Sequence, residues 1–461
     1  ISQYEQLDNE ENKAAAPDRN KTFYFNERLS GLKEQYNLFV QYLSGAFPEY
    51  YKLKFKTGVI SADSLERSLA SKEALIEYVQ TDKNLYSFFI AQGIKKINSI
   101  SLDSTYNSAL TKYTAAISNP SIKDTGGVRS FSHVSSTLYR YLINPFETEL
   151  KGKSLIIVPD EDLYSVPFES LVVSDDPHTK PVFRKLSYLV QQVSISYACS
   201  ATLLFEKDKK TKKASEELLA FAPTYGSNIM ANLHDSSVSR DFRDLLKPLK
   251  GATEEVNTIN GIVDGKVYSG DEASRENFTN NSANYDILHF AMHTIIDEDN
   301  PMQSKMVFSP DSEKSWLLNA YELYNMKFNA RLAVLSACKT GYGKLVKGEG
   351  EVCLARGFMY AGCPSIIMTL WNVNDVTGCK LMKKFYEYLA AGNTKNEALR
   401  QAKMDYIRDS EDWMANPYYW AGYVNFGDHS ALFEKKTAQN GLQRNLAYIS
   451  IIGGIVVLFF F

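Results

Sequence analysis

The chain has 461 residues, 44% apolar and 23% charged, with 51 Lys and Arg against 54 Asp and Glu. That composition fits a folded protein of two or three domains and excludes disordered, collagenous and disulfide-scaffold classes. A net charge of −3 gives no overall reason to bind nucleic acid, and five cysteines without a C-x-x-C pair argue for reduced thiols and against a structural zinc site.

Residues 1–22 are polar and read as a linker; the opening Ile1, with no charged-then-apolar leader, suggests a piece of a longer protein. The 23–64 segment is predicted helical, with Leu29, Leu32, Tyr36, Phe39 and Leu43 as a core-facing stripe before Pro48, and it looks like the tail of an upstream helical array. In 65–150, two strand-like runs (74–80 and 85–93) joined by Thr81-Asp82-Lys83-Asn84 predict a hairpin. Two helices follow, around Leu110, Tyr113 and Ile117 and around Val134, Leu138 and Leu142.

From 151 to 430 the pattern changes to short apolar strands alternating with helices: 153–160, 193–200, 218–223, 286–293, 331–338 and 364–371. Near-continuous apolar strands of this kind predict an α/β sheet covered on both faces. One helix should carry Val352, Ala355 and Met359 and stop at Gly362; a second should carry Leu381, Phe385 and Leu389 and stop at Gly392. A third should open with a capping box, Thr394 to Glu397, and bury Leu399, Ala402 and Tyr406. The lysine run 207–213 has no interleaved aromatic and reads as a solvated loop rather than a polyanion site.

Residues 431–445 read as a juxtamembrane linker and 446–461, sixteen residues without a charge, as a truncated transmembrane helix. At ~1.5 Å per residue the run reaches about 24 Å, short of a ~30 Å hydrocarbon core. A buried C-terminal helix is the other reading, but no polar side is left to meet water. Lys435, Lys436 and Arg444 on the domain side point to a single-pass membrane protein with its catalytic domain in the cytoplasm.

Two strand ends carry the chemistry. The run DILHFAM leads into His293 and RLAVLSA into Cys338, which is followed by Lys339-Thr340-Gly341-Tyr342-Gly343. The C-terminal edge of an α/β sheet is where such folds place ligands, and the glycines let the backbone turn close to a substrate. A free thiol near pKa ~8.5 is mostly protonated at neutral pH, so a neighbouring imidazole is needed to activate it and carry the proton to a leaving amine. The backbone N–H of Cys338 would serve an oxyanion hole. For each residue the alternative is packing: a small buried thiol and a satisfied core histidine. His289, four residues earlier, reads as packed, and Cys199, Cys353, Cys363 and Cys379 as buried thiols. No metal ligand set and no cofactor motif is found; a nucleotide-binding domain is disfavoured because no G-x-x-x-x-G-K-[ST] loop follows a strand.

Several segments together resemble the CHAT domain, a caspase-like family often found behind tetratricopeptide repeats in bacteria. They are LIIVPDEDLYSVPFESL (155–171), SISYACSATLL (194–204), LHFAMH (288–293), LAVLSACKTGYG (332–343), GEGEVCLARGFMYAGCPSIIMTLWNVND (348–375), FYEYLAAGNTKNEALRQAK (385–403) and NPYYWAGYVNFGD (416–428), in one order. His and Cys stand 45 residues apart in that order, near the ~50 of caspases.

The resemblance implies a caspase-like, mostly parallel mixed sheet flanked by helices, preceded by the helical and hairpin segments. It makes His293 the general base and acid and Cys338 the nucleophile of a cysteine endopeptidase. Thr294 stands where many members have Gly, and its N–H would join that of Cys338 in the oxyanion hole. Asp375 would favour a basic P1 residue, or else cap the following helix, and Trp371 would wall a subsite. Expected partners are a peptide or protein substrate, the membrane, and an upstream repeat domain or regulatory protein, with no nucleic acid. The competing reading is a catalytically inactive scaffold for protein interaction.

Overall fold

The computed structural model describes residues 2–13, 18–46, 58–176, 178, 180–205, 214–225, 249, 251–297, 300–309, 316–336, 345–346, 350–351 and 354–435. It divides into two compact units, residues 1–61 and 62–461.

The first unit holds α1 (Ser2–Asn12) and α2 (Arg19–Ala46). The 1–22 stretch is thus largely helical rather than a linker, because its charges are used between the two helices. Glu5 meets Lys33 at 2.9 Å, Asn26 donates to Asp8 at 3.2 Å, and Tyr4 packs against Phe25. The predicted stripe of α2 is only partly buried. Leu29 and Leu43 are covered, whereas Tyr36 and Phe39 are about half exposed. A single neighbouring helix covers one narrow stripe and leaves the rest to water.

In the second unit the strands are β1 (Glu73–Gln80), β2 (Asn84–Ala91), β3 (Ile94–Ser101), β4 (Ser154–Val158), β5 (Ile195–Tyr197), β6 (Glu216–Ala222), β7 (Gly265–Ser269) and β8 (Tyr285–Phe290). They continue as β9 (Thr294–Ile295), β10 (Lys305–Val307), β11 (Leu317–Asn319), β12 (Leu332–Leu335), β13 (Leu345–Val346), β14 (Gly350–Glu351), β15 (Ser365–Thr369) and β16 (Tyr423–Gly427). Among the described residues, eleven form one mixed sheet in the order β3-β2-β1-β4-β5-β16-β15-β12-β8-β6-β7. Strands β15, β12, β8, β6 and β7 are mutually parallel, as are β1, β4 and β5; β16 runs antiparallel to β15, and β1 to β3 form an antiparallel meander. All six apolar runs from 151 onward become strands of this sheet.

The flanking helices are α3 (Ala62–Ser68), α4 (Ser104–Ile117), α5 (Thr125–Leu142), α6 (Ala252–Asn260), α7 (Leu354–Tyr360), α8 (Asp375–Ala390) and α9 (Lys395–Asp409). Asp103 and Asp124 cap α4 and α5 by accepting from Tyr106 N–H and Gly127 N–H. Gly362 and Gly392 take positive φ, +105° and +86°, and end α7 and α8. Leu381, Phe385 and Leu389 on α8, and Leu399, Ala402 and Tyr406 on α9, are buried. The predicted capping box does not form: the Thr394 side chain makes no cap bond, and Glu397 accepts from Arg400 and Gln401 instead.

The expectation of a single-pass membrane protein is not supported. Among the described residues no helix is long and apolar enough to cross a membrane. The longest, α2, spans 28 residues but carries six charged side chains between Arg19 and Glu34. Residues 446–461, which suggested the anchor, lie outside the described residues, as do the 207–213 lysines.

Candidate active site

Strands β6, β8 and β12 lie side by side, with Phe221 opposite Phe290 and Phe290 opposite Leu335. All three are fully buried, as a parallel sheet covered on both faces requires. The chain leaves this common edge at three places. Four residues past Phe221 lies Tyr225, three past Phe290 lies His293, and three past Leu335 in sequence comes Cys338. Cys338 itself lies outside the described residues, with the rest of 337–344.

His293 is fixed through its backbone. Its N–H donates to the Tyr225 hydroxyl at 3.1 Å and its carbonyl accepts from Val307 N–H at 3.0 Å. The Tyr225 hydroxyl donates in turn to the Val307 carbonyl at 2.7 Å, and the Tyr225 and His293 rings pack with centroids 4.9 Å apart at 44°. Only 9% of His293 is exposed. Thr294 then opens β9, opposite Met306, at one end of the small sheet β11-β10-β9.

His289 is packed, as expected, and its partners explain why. It is fully buried, with Nε2 3.0 Å from Glu255 Oε1 and Nδ1 3.1 Å from the Tyr386 hydroxyl. Burial, then the Glu255 charge, pushes the Tyr386 phenol well above its ordinary range, so it stays neutral and bonded. A cavity of about 20 Å³, room for about one water, opens beside this network, bounded by Glu255, Ala291, Met292, Ser336, Val373 and Tyr423. Ser336 Oγ lies 3.2 Å from the Tyr423 hydroxyl. Gly378 lets that hydroxyl approach α8, since a Cβ there would come within 2.7 Å of it.

The other expected residues are distributed along the same edge. Asp375 is the first residue of α8, but the cap is Asn374, whose Oδ1 accepts from Val376 and Thr377 N–H at 3.2 Å each; the Asp375 side chain lies outside what is described. Trp371 is 7% exposed, donates from Nε1 to the Tyr418 carbonyl at 2.9 Å and stacks on the Tyr418 ring. Burial pushes the Cys363 thiol up to about 12 and, aided by Glu255 and Glu254, the Cys379 thiol to about 11, so neither supplies thiolate near neutral pH. Cys199 is half-buried, and Cys353 lies outside the described residues. Among the described residues no three His, Cys, Asp or Glu gather into a metal-ligand set.

Tyr225, Glu255 and Tyr386 were not singled out from sequence. Tyr225 carries a signal of the same type as His293, a polar side chain just past the end of a buried parallel strand. Glu255 and Tyr386 sit on helices, where nothing in their spacing marks them as partners of a histidine on a strand.

The sequence model of the CHAT domain matches residues 132–428. Tetratricopeptide repeat protein 28 of Mus musculus is 24% identical over 331 residues, covering 63% of this chain and 13% of that protein. Its Homo sapiens counterpart is 23% identical over the same shares. The match therefore spans about an eighth of these relatives. Among solved structures, the Saccharomyces cerevisiae separase–securin complex aligns with TM-score 0.46 and 11% identity over 79% of this chain and 30% of that one. The Arg-specific cysteine proteinase gingipain R aligns with TM-score 0.36 and 12% identity, over 68% and 69%. The domain match runs over more than half of the present sequence, and the chain belongs to the CHAT domain family.

Proposed function

We propose that this protein is a caspase-like cysteine endopeptidase. In the first step His293 takes the Cys338 thiol proton, sulfur bonds to the scissile carbonyl carbon, the C–N bond breaks, and the proton goes to the leaving amine. Water then hydrolyses the thioester. The observation that carries this reading is strand register: Phe290 and Leu335 are paired neighbours, and His293 and Cys338 each follow by three residues. Parallel strands lie ~4.8 Å apart, so the chain leaves the sheet toward His293 and toward Cys338 from adjacent points of one edge. The backbone bonds of His293 to Tyr225 and Val307 favour an imidazole aimed before substrate arrives.

The backbone N–H groups of Cys338 and Thr294 are the proposed oxyanion donors. An extended peptide would add to β9, which starts one residue after His293 at the end of its sheet. Asp375, at the start of α8, is assigned the choice of a basic P1 residue and Trp371 the wall of a neighbouring subsite. Control by an upstream repeat region or a regulatory protein is in keeping with relatives named for their tetratricopeptide repeats.

A scaffold without activity is the competing reading; the Thr at 294 in place of a smaller Gly bears on efficiency, while the presence of both His293 and Cys338 in the sequence counts against the scaffold. An acyl-peptide probe reactive toward cysteine separates the two. The peptidase reading requires that Cys338 be labelled faster than Cys379 and that Cys338→Ala abolish cleavage of a peptide library. Equal labelling, with cleavage unchanged in Cys338→Ala, would leave the scaffold. Comparing protein N-termini in cells carrying wild type and Cys338→Ala then identifies the substrate.

A further inference from the structure

Strands β1 to β3 are covered unequally on their two faces. On the inner face Ala74, Ile76, Leu85 and Phe89 are fully buried, and Tyr78 donates to the Leu142 carbonyl of α5 at 2.8 Å. On the outer face, residues paired across strands form three rows. The first is Leu75, Ile90 and Lys95, the second Glu77, Phe88 and Ile97, and the third begins with Val79 and Tyr86. Helix α3 seals the first row: its Glu66 meets Lys95 at 2.8 Å and accepts from Gly93 N–H at 2.8 Å, and Leu75 and Ile90 are buried there.

Past that row the cover stops. Ile97 is 72% exposed and Val79 42%, with Phe88 and Tyr86 half-buried between them. Strands ~4.8 Å apart and rows ~7 Å apart make this an apolar patch of about 10 by 7 Å, which suits roughly two turns of helix. Glu77 stands in it between Phe88 on β2 and Val158 on β4. Burial, then the Asp160 charge, pushes the Glu77 carboxyl above its ordinary 4.5. Among the described residues no basic side chain offsets this, and Lys95 in the next row is taken by Asp63 and Glu66. A cation brought to Glu77 relieves both effects.

We propose that the outer face of β1 to β3, beside α3, docks an amphipathic helix of another protein, whose apolar side covers Val79, Phe88 and Ile97 and carries one Lys or Arg to meet Glu77. A helix is the element this face already accepts in α3. A second copy of the chain is a poor occupant, because it would bring the Glu77 and Asp160 charges of both copies to one interface and supply no cation. The surface does not depend on the peptidase reading.

The test titrates the full chain with a fluorescent helical peptide of about eighteen residues. It has Leu and Ala along one side, Gln and Ser along the other, and a single Lys at the centre of the apolar side; two companions carry Gln or Glu at that position. The Lys peptide should bind saturably and about tenfold more tightly than the Gln peptide, with the Glu peptide weakest. Ile97→Asp should abolish binding, and Glu77→Gln should erase the preference for Lys over Gln. Both variants should melt within a few degrees of wild type, because Ile97 is exposed and Glu77 gives up no ion pair with a described residue. No saturable binding of the Lys peptide at millimolar concentration, binding indifferent to Ile97→Asp, or a Lys preference that survives Glu77→Gln would each overturn the proposal. Self-association of the chain alone, lost in Ile97→Asp, would overturn it too by placing a second copy on this face.

Discussion

The Tyr225 hydroxyl closes a ring of hydrogen bonds with His293, accepting from its backbone N–H at 3.1 Å and donating to the Val307 carbonyl at 2.7 Å, while Val307 N–H returns to the His293 carbonyl at 3.0 Å. The side chain of one residue thereby sets the backbone of another. Tyr225→Phe keeps the ring packing at 4.9 Å but leaves a buried N–H and C=O short of a partner, a cost of about 1–3 kcal/mol. If Tyr225 positions His293, kcat should fall about tenfold with KM nearly unchanged, at a temperature well below the melting transition. An unaltered kcat there would reduce Tyr225 to a packing role.

The two strand-borne histidines should separate cleanly by substitution. His289→Ala leaves the buried Glu255 carboxyl and Tyr386 hydroxyl without the ring that bonds both, at about 1–3 kcal/mol for each group left unsatisfied, so the melting temperature should drop. Pairing it with Glu255→Gln should recover part of the loss. His293→Ala keeps the backbone bonds to Tyr225 and Val307 and should leave the melting temperature within a few degrees of wild type while cleavage disappears. Thermal denaturation followed by peptide cleavage on the same preparations gives both readouts.

Thiol chemistry offers a third test. A thiol raised to about 12 is only ~10⁻⁴ thiolate at pH 8, and one at about 11 only ~10⁻³, so Cys363 and Cys379 should alkylate slowly with iodoacetamide in the folded protein. Site-resolved mass spectrometry at short times should find the carbamidomethyl label at Cys338 first. Fast labelling of Cys363 would mean that its burial at the start of β15 is not maintained in solution.

What the sequence revealed depended on the range of the forces involved. The strands that end at Phe290 and Leu335 were legible because a strand buried on both faces must be apolar throughout. The turns at Gly362 and Gly392 were legible because a left-handed φ selects glycine. Strand β3 escaped notice because its edge position leaves Lys95, Lys96 and Ile97 exposed, so the run lacks the apolar signature of a core strand. The central place of β16, between β5 and β15, is a long-range pairing that five residues cannot announce. Tyr225, Glu255 and Tyr386, which hold His293 and His289, enter only through contacts made across elements, so no local pattern marked them. The helix Ser2–Asn12 was missed because its polar residues are satisfied by α2 rather than by a core.

Acid should loosen the fold partly through Glu73. The hydrogen bond with His429, then the one from Ala70 N–H, outweighs burial and holds this carboxyl below its usual 4.5. The unfolded chain then binds the proton more readily than the native one, so the contribution of Glu73 is complete above pH 4.5 and is lost as pH falls through its lower folded value. Urea midpoints between pH 6 and pH 3 should decline more gently in Glu73→Gln than in wild type. An identical slope would show that the pair with His429 does not persist in solution.

The ion pair of Lys403 and Glu169 tests how α9 is tied to the turn after β4. The charges meet at 3.0 Å with both side chains essentially buried, and Tyr197 donates to the second carboxylate oxygen at 2.5 Å. Burial lowers the Lys403 pKa, but the Glu169 charge and hydrogen bond oppose that shift, so the pair stabilises itself only as a unit. Lys403→Ala alone should therefore cost about 3–5 kcal/mol, because it leaves Glu169 charged in an apolar setting. Lys403→Met with Glu169→Leu removes both charges at similar volume and should recover most of that loss, less about 1 kcal/mol for the Tyr197 O–H, which loses its acceptor while still accepting from Phe168 N–H. Denaturant midpoints of the single and double variants measure the coupling. If the double variant is no more stable than Lys403→Ala, the cost lies in lost packing at α9 rather than in an unpaired charge.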